Sequence, residues 1–265
     1  MAAAEGRSKA VNFGMKVAAL YDIHGNLPAL KAVLADVETE RVDLIVMGGD
    51  VVPGPILLET IATLQALTIP VRRVRGNGDR EVVAMFDTGV PSNEVPDGPP
   101  RVLLEWVVSQ LSGAERDYLA DFEPTVSIAG LAIGDALFCH GSPRGDTEII
   151  TMVTPDSRLE PMLADVSEPV IVCGHTHRQF DREFGGKRLL NAGSLGMPYE
   201  GVAAAFWLLI DHEAELRRSS YDIAASLKTF RDAGCPDVEA HFKESLIEPA
   251  DPEMISAFFE RRASK

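Results

Sequence analysis

KVAALYDIHGN, residues 16–26, sets the pattern of the chain: a short apolar run that stops abruptly at an acid, a histidine and a glycine. An unbroken apolar run of this length reads as a strand buried on both faces. Pro28 suits the first turn of a helix, predicted to run to about Glu40. The pattern then recurs. Leu44 to Met47 ends at Gly48-Gly49-Asp50, Ile56 to Leu67 has helical spacing, and Val71 to Val74 ends at Gly76-Asn77-Gly78-Asp79. Strand, polar loop and helix in repetition predict a layered α/β domain.

Further along, the strands become neighbours. Thr125 to Ala129 and Leu131 to Cys139 flank Gly130. Val170 to Cys173 runs into Gly174-His175-Thr176-His177. Phe180 to Phe184 and Arg188 to Leu190 flank Gly185-Gly186, a hairpin signal, and Ala203 to Ile210 and Glu215 to Tyr221 flank another turn. Between the two halves, Asp87 to Arg101 reads as a loop, and Val102 to Gln110 and Ala114 to Asp121 as helices. We expect residues 15–265 to form a single domain after a disordered leader over 1–14. Within it, 80–122 reads as a small helical insertion, over the site or peripheral to it, and 222–265 as a helical C-terminal extension.

Composition narrows the classes. An apolar fraction of 46% and a mean hydropathy of +0.03 suit a globular protein. The net charge of −15 opposes nucleic acid and anionic membranes at long range, so extended nucleic acid is a poor partner. Arg72, Arg73, Arg75 and Arg80 are close in sequence, but strand alternation divides them between faces. No run is long and apolar enough to span a bilayer, so no membrane partner is expected. Three cysteines, Cys139, Cys173 and Cys235, do not make a disulfide framework; Cys139 and Cys173, each at the end of an apolar run, are expected to be buried free thiols, and a cytoplasmic location is the expectation.

Five runs end in clusters of Asp, Asn, Gly or His, and ligands of open α/β sheets bind at the carboxyl ends of strands. Four of the six histidines, His24, His140, His175 and His177, sit directly after apolar runs, beside Asp22, Asp50 and Asn77. Singly, each has a plain alternative: the acids as caps, Asn77 as a turn residue, His140 as a core histidine. Together they are a mixed oxygen and nitrogen donor set suited to Mn²⁺, Fe²⁺, Co²⁺, Ni²⁺ or Zn²⁺. Seven donors exceed the need of one ion but serve two if a carboxylate bridges. A pair of ions about 3.5–4 Å apart can clamp both ends of a phosphoryl displacement.

In order, Asp22-Ile23-His24, Gly49-Asp50, Gly76-Asn77, His140-Gly141 and Gly174-His175-Thr176-His177 resemble the five blocks of calcineurin-like metallophosphoesterases. Asn191-Ala192-Gly193-Ser194 resembles a later element of their small bacterial and archaeal phosphodiesterase branch. The resemblance implies a two-sheet β-sandwich flanked by helices. It implies Asp22, His24 and His177 on a first metal, Asn77, His140 and His175 on a second, and Asp50 as the bridge. Mn²⁺ is the foremost expectation, with a metal-bridging hydroxide as nucleophile. The chain departs from the pattern at Gly78, where many members carry a histidine that contacts phosphate. That departure favours a phosphodiesterase acting on small diesters or nucleotides over a phosphomonoesterase or protein phosphatase. A non-catalytic protein-interaction scaffold on the same fold is the alternative of another class, and the complete donor set argues against it. Asn26, Ser194, Arg144 and Arg178 are secondary candidates for phosphate contact, each with a turn or solvent role as its alternative.

Overall fold

The computed structural model describes residues 14–263, so the expected leader over 1–14 lies almost wholly outside the described residues. The strands are β1 Val17–Leu20, β2 Leu44–Met47, β3 Val71–Arg73, β4 Thr125–Ile128, β5 Ala136–Cys139, β6 Val170–Cys173, β7 Phe180–Phe184, β8 Lys187–Asn191, β9 Ala205–Ile210 and β10 Ala214–Ser219. They form two five-stranded sheets, ordered β10-β9-β1-β2-β3 and β4-β5-β6-β8-β7. Each contains three parallel strands, β1-β2-β3 at one side of the first sheet and β5-β6-β8 in the middle of the second; the remaining strands pair antiparallel.

Period-two alternation explains the layers. Val17 and Ala19 of β1, Leu44 and Val46 of β2, and Val170 and Val172 of β6 enter one apolar cluster between the sheets. The residues between them face outward. Ala18, Leu20, Ile45 and Met47 pack under α1 Leu27–Glu40 and α2 Leu57–Gln65. Ile171 and Cys173 meet Leu159, Met162 and Leu163. The order is thus helix, sheet, sheet, helix, the sandwich that the resemblance implied. Tyr21, fully buried, ties the sheets by donating its hydroxyl to the Val172 carbonyl at 3.1 Å.

The remaining helices are α3 Asn77–Thr88, α4 Pro99–Val108, α5 Gly113–Ala120, α6 Asp156–Leu163, α7 Ile223–Asp232, α8 Val238–Phe242 and α9 Pro252–Ala263, with a π-helical turn at Lys243–Ile247. Helix α4 begins inside the stretch read as a loop. Pro99 and Pro100 occupy its first turn, where the missing N–H costs nothing. Helix α6 was not expected from the sequence; Pro161 lies inside it. The strand expected from Leu131 starts only at Ala136, because Gly134, with φ of 105°, closes a turn onto the Leu131 carbonyl. Among the described residues, no helix is long and apolar enough to cross a membrane.

Phe138 is fully buried between the sheets. Phe138→Ala should cost about 3–5 kcal/mol in urea unfolding. Leu216→Ala, at a residue 40% exposed, should change stability by less than about 1 kcal/mol.

Candidate metal centre

Five of the six parallel strands hand their chain to the same place. β1 leads to Asp22 and His24, β2 to Asp50, β3 to Asn77, β5 to His140, and β6 to His175 and His177. Seven described non-glycine residues have positive φ, and five of them are Asp22 (52°), His24 (46°), Asp50 (49°), His175 (63°) and His177 (57°). Side chains resist this region at roughly 1–3 kcal/mol each, and such strain gathers at functional sites. The loops bear it because they brace one another. Asp22 N–H donates to Gly49 O at 3.0 Å, His24 N–H to Asp50 O at 2.9 Å, and Gly174 N–H to His140 O at 2.8 Å.

The donors converge. Asp22 Oδ1 lies 3.3 Å from His177 Nε2, 3.8 Å from His140 Nε2 and 4.0 Å from His24 Nε2. Asp50 Oδ2 lies 3.5 Å from His140 Nε2 and 3.8 Å from His24 Nε2, between two groups of donors. Asp22, His24 and His177 make one compact triad and Asp22, Asp50 and His140 another. The His175 ring stands 5.2 Å from that of His140, and Asn77 and His175 line the same cleft as His24, Asp50 and His177.

Three imidazoles point their Nδ1 at main-chain carbonyls: His24 at Pro53 (3.3 Å), His140 at Gly48 (2.9 Å) and His177 at Met197 (2.7 Å). That partner fixes the proton on Nδ1 and leaves Nε2 as the free donor, the usual support of a metal-binding histidine. His24 Nε2 and His177 Nε2 lie 3.2 Å apart, close enough to share a proton or to hold a cation in its place. Asp22 Oδ1, Asn77 Oδ1 and His140 Nε2 are buried with no hydrogen-bond partner. Buried polar atoms are rarely left so, and an ion is one of the standard remedies. The residues therefore fit divalent cations.

Without metal, protons balance the charge. Burial alone would lower His140, but Asp50 and Asp22 overcome it and raise its pKa to about 10. His177 is likewise raised by Asp22 against the cost of burial. Burial, aided by the His140 charge, pushes His175 down to about 4, and burial lowers His24 as well. The imidazolium neighbours hold Asp22 and Asp50 below the ordinary carboxylate range despite burial.

Five of the donors, His24, Asp50, Asn77, His175 and His177, floor a cleft of about 380 Å³. Residues of the 80–122 segment, among them Arg80, Val95, Pro96 and Leu104, form part of its wall. Arg80 is spent on Asp146, Glu94 and Glu81. The secondary candidates have other work. Asn26 caps α1 through Ala29 N–H and donates to Gly196 O; Ser194 donates to Asp22 O and accepts from Met197 N–H. Arg144 pairs with Glu148, and Arg178 donates to Pro252 O and Ser256 Oγ. Sequence reasoning missed Tyr199, whose ring stacks on His177 at 5.4 Å and 14°, and Phe259 and Arg262, which α9 brings to the cleft from far along the chain. Asn191, quoted only as part of a later block, donates to Gly174 O and Thr176 Oγ1 and so shapes the turn that carries His175 and His177.

A profile of the calcineurin-like phosphoesterase superfamily domain matches residues 15–213. The chain belongs to this superfamily. An uncharacterised protein of Methanocaldococcus jannaschii is 26% identical over 232 residues, 78% of this chain and 88% of that one. A hypothetical protein of Pyrococcus horikoshii has the same fold, with a TM-score of 0.73 at 22% identity over 87% of this chain and 97% of its own. A metallophosphoesterase of Sphaerobacter thermophilus superposes with a TM-score of 0.67 at 24% identity over 87% and 98%.

The departure from the superfamily pattern at Gly78 has a steric basis. A Cβ there would lie 2.4 Å from Val52 O and 3.0 Å from Asp50 Oδ1. The Gly78 N–H, at the start of α3, donates to Asp50 Oδ1 at 2.6 Å. The close approach that orients Asp50 thus leaves no room for a side chain. Asp79 caps α3 by accepting from Gly76 N–H and also accepts from Val52 N–H.

Gly78→His should therefore lower stability and metal retention instead of adding an acid, as thermal melts with and without metal will show. Metal must also displace the proton that His140 holds up to a pH of about 10. Apparent metal affinity should rise with pH over the neutral range, and calorimetry in buffers of different ionisation enthalpy should detect at least about one proton released per protein.

Proposed function

We propose that the chain is a phosphodiesterase working with two divalent cations, Mn²⁺ foremost, on small phosphodiesters or nucleotides. Asp22, His24 and His177 would hold one cation, Asn77, His140 and His175 the other, with Asp50 shared. One observation carries the reading: Asp22 Oδ1, Asn77 Oδ1 and His140 Nε2 are buried without a hydrogen bond, and Asn77 lines the cleft with His24, Asp50, His175 and His177. When bound, the cations supply electrostatic stabilisation for phosphoryl transfer and acidify water.

The chain's own residues narrow the substrate. Position 78 offers a leaving group only an N–H already given to Asp50. A monoester dianion would bring a second negative charge beside Asp22 and Asp50; a diester brings one. Both features support diesters over monoesters. The three cysteines are free and buried, which suits a reducing compartment such as the cytoplasm.

The test is hydrolysis of bis(p-nitrophenyl) phosphate and p-nitrophenyl phosphate by metal-stripped protein, with Mn²⁺, Ni²⁺, Zn²⁺ or Mg²⁺ returned separately. Diester turnover should exceed monoester turnover and require metal. Asp50→Asn and His140→Ala should each lower it by more than about a hundredfold. Faster monoester turnover would overturn the substrate assignment, and unchanged turnover in either variant would overturn the site.

A further inference from the structure

We infer that α9 completes the substrate site, with Phe259 and Arg262 binding a nucleotide: Phe259 against the base and Arg262 on a phosphoryl oxygen. The inference deepens the phosphodiesterase reading and rests on it. Helix α9, Pro252–Ala263, lies beyond the superfamily match, which ends at residue 213. Nothing in the superfamily assignment supplies its role.

The helix is fixed at the cleft. Arg178 donates to Pro252 O at 2.9 Å and to Ser256 Oγ at 2.5 Å. Glu260 pairs with Arg158 at 2.9 Å and accepts from Thr154 Oγ1 at 2.5 Å. An aromatic line joins the helix to the donors: His177 stacks on Tyr199, and Tyr199 lies 6.3 Å from Phe259. Phe259 and Arg262 are three residues apart, hence on one helix face, and both line the cleft.

Their chemistry is complementary to a nucleotide. Phe259 shares the cleft with Val95, Pro96, Pro100, Leu104 and Ile149, apolar surfaces suited to a planar ring. Of the two arginines that line the cleft, Arg80 is tied to Asp146, Glu94 and Glu81, whereas Arg262 forms no ion pair with a described carboxylate. A free guanidinium beside a site for cations is a planar fork matched to phosphoryl oxygens.

The test measures binding of adenosine 5′-monophosphate by calorimetry, to Mn²⁺-equilibrated and to EDTA-treated protein, together with kinetics on p-nitrophenyl thymidine 5′-phosphate. Arg262→Ala should weaken nucleotide binding about tenfold or more and raise KM by a similar factor, with kcat within about threefold. Arg262→Lys should recover part of the loss, and Phe259→Ala should weaken nucleotide binding and raise KM by about tenfold. Met254→Ala, on the exposed side of the same helix, should change nothing. Wild-type protein that binds no nucleotide, or equal binding by Arg262→Ala, would overturn the inference. Metal-dependent diester turnover alongside either result would leave the phosphodiesterase reading standing. Nucleotide binding that needs Arg262 in a protein with no turnover would support this inference and remove that reading.

Discussion

Two carboxylates buried at the junction of two sheets set the terms for everything around them. Asp22 has no exposure and Asp50 has 4%. A buried carboxylate is tolerable only when hydrogen-bonded and matched by positive charge. One oxygen of each is satisfied by the main chain, Asp22 Oδ2 by His175 N–H and Asp50 Oδ1 by Gly78 N–H. The other oxygen of each turns to imidazoles. Protons on His140 and His177 supply the missing charge in the metal-free protein, and the lone pairs and orphaned oxygens nearby are the places where cations would take over.

The architecture explains how strained loops can be held there. Five of the seven donors sit on turns with unfavourable backbone angles, but those turns follow β1, β2 and β6, each locked in a parallel ladder and buried on both faces. Two triplets of parallel strands, one per sheet, end at a common edge. The loops then continue the ladders: Asp22 and His24 bond to the loop after β2, and Gly174 to the one after β5. Gly49 shows how little slack remains. It has φ of 94°, and a Cβ there would meet His140 Nδ1 at 2.7 Å.

Much of this was legible because strand ends are local. Apolar runs bound Leu44–Met47 and Val170–Cys173 correctly and the Gly185-Gly186 turn bounds Phe180–Phe184, while the acid after the first and the histidines after the second mark one edge of each sheet. Local signals misled where a residue type has two uses. Pro99 and Pro100 read as loop and begin a helix, and Leu131 reads as strand and belongs to a turn. What long-range packing decides left no trace. Arg178 beside the GHTH turn invited a phosphate role, yet it clamps α9, whose Phe259 and Arg262 reach the cleft from over 80 residues beyond His175.

The chain's charge bears on what can reach that cleft. With a net charge of −15, the long-range field opposes every anionic substrate, so attraction has to arise at contact. Arg80, at the wall, is neutralised by three acids, which leaves the proposed cations and Arg262 as the positive charge that the proposed substrate would meet. A polymer of phosphates would meet the repulsion at each unit while only one reaches those cations; a small diester meets it once. The same surface that makes a nucleic-acid track unfavourable therefore supports the reading of a compact substrate, held at one phosphoryl group and one apolar wall.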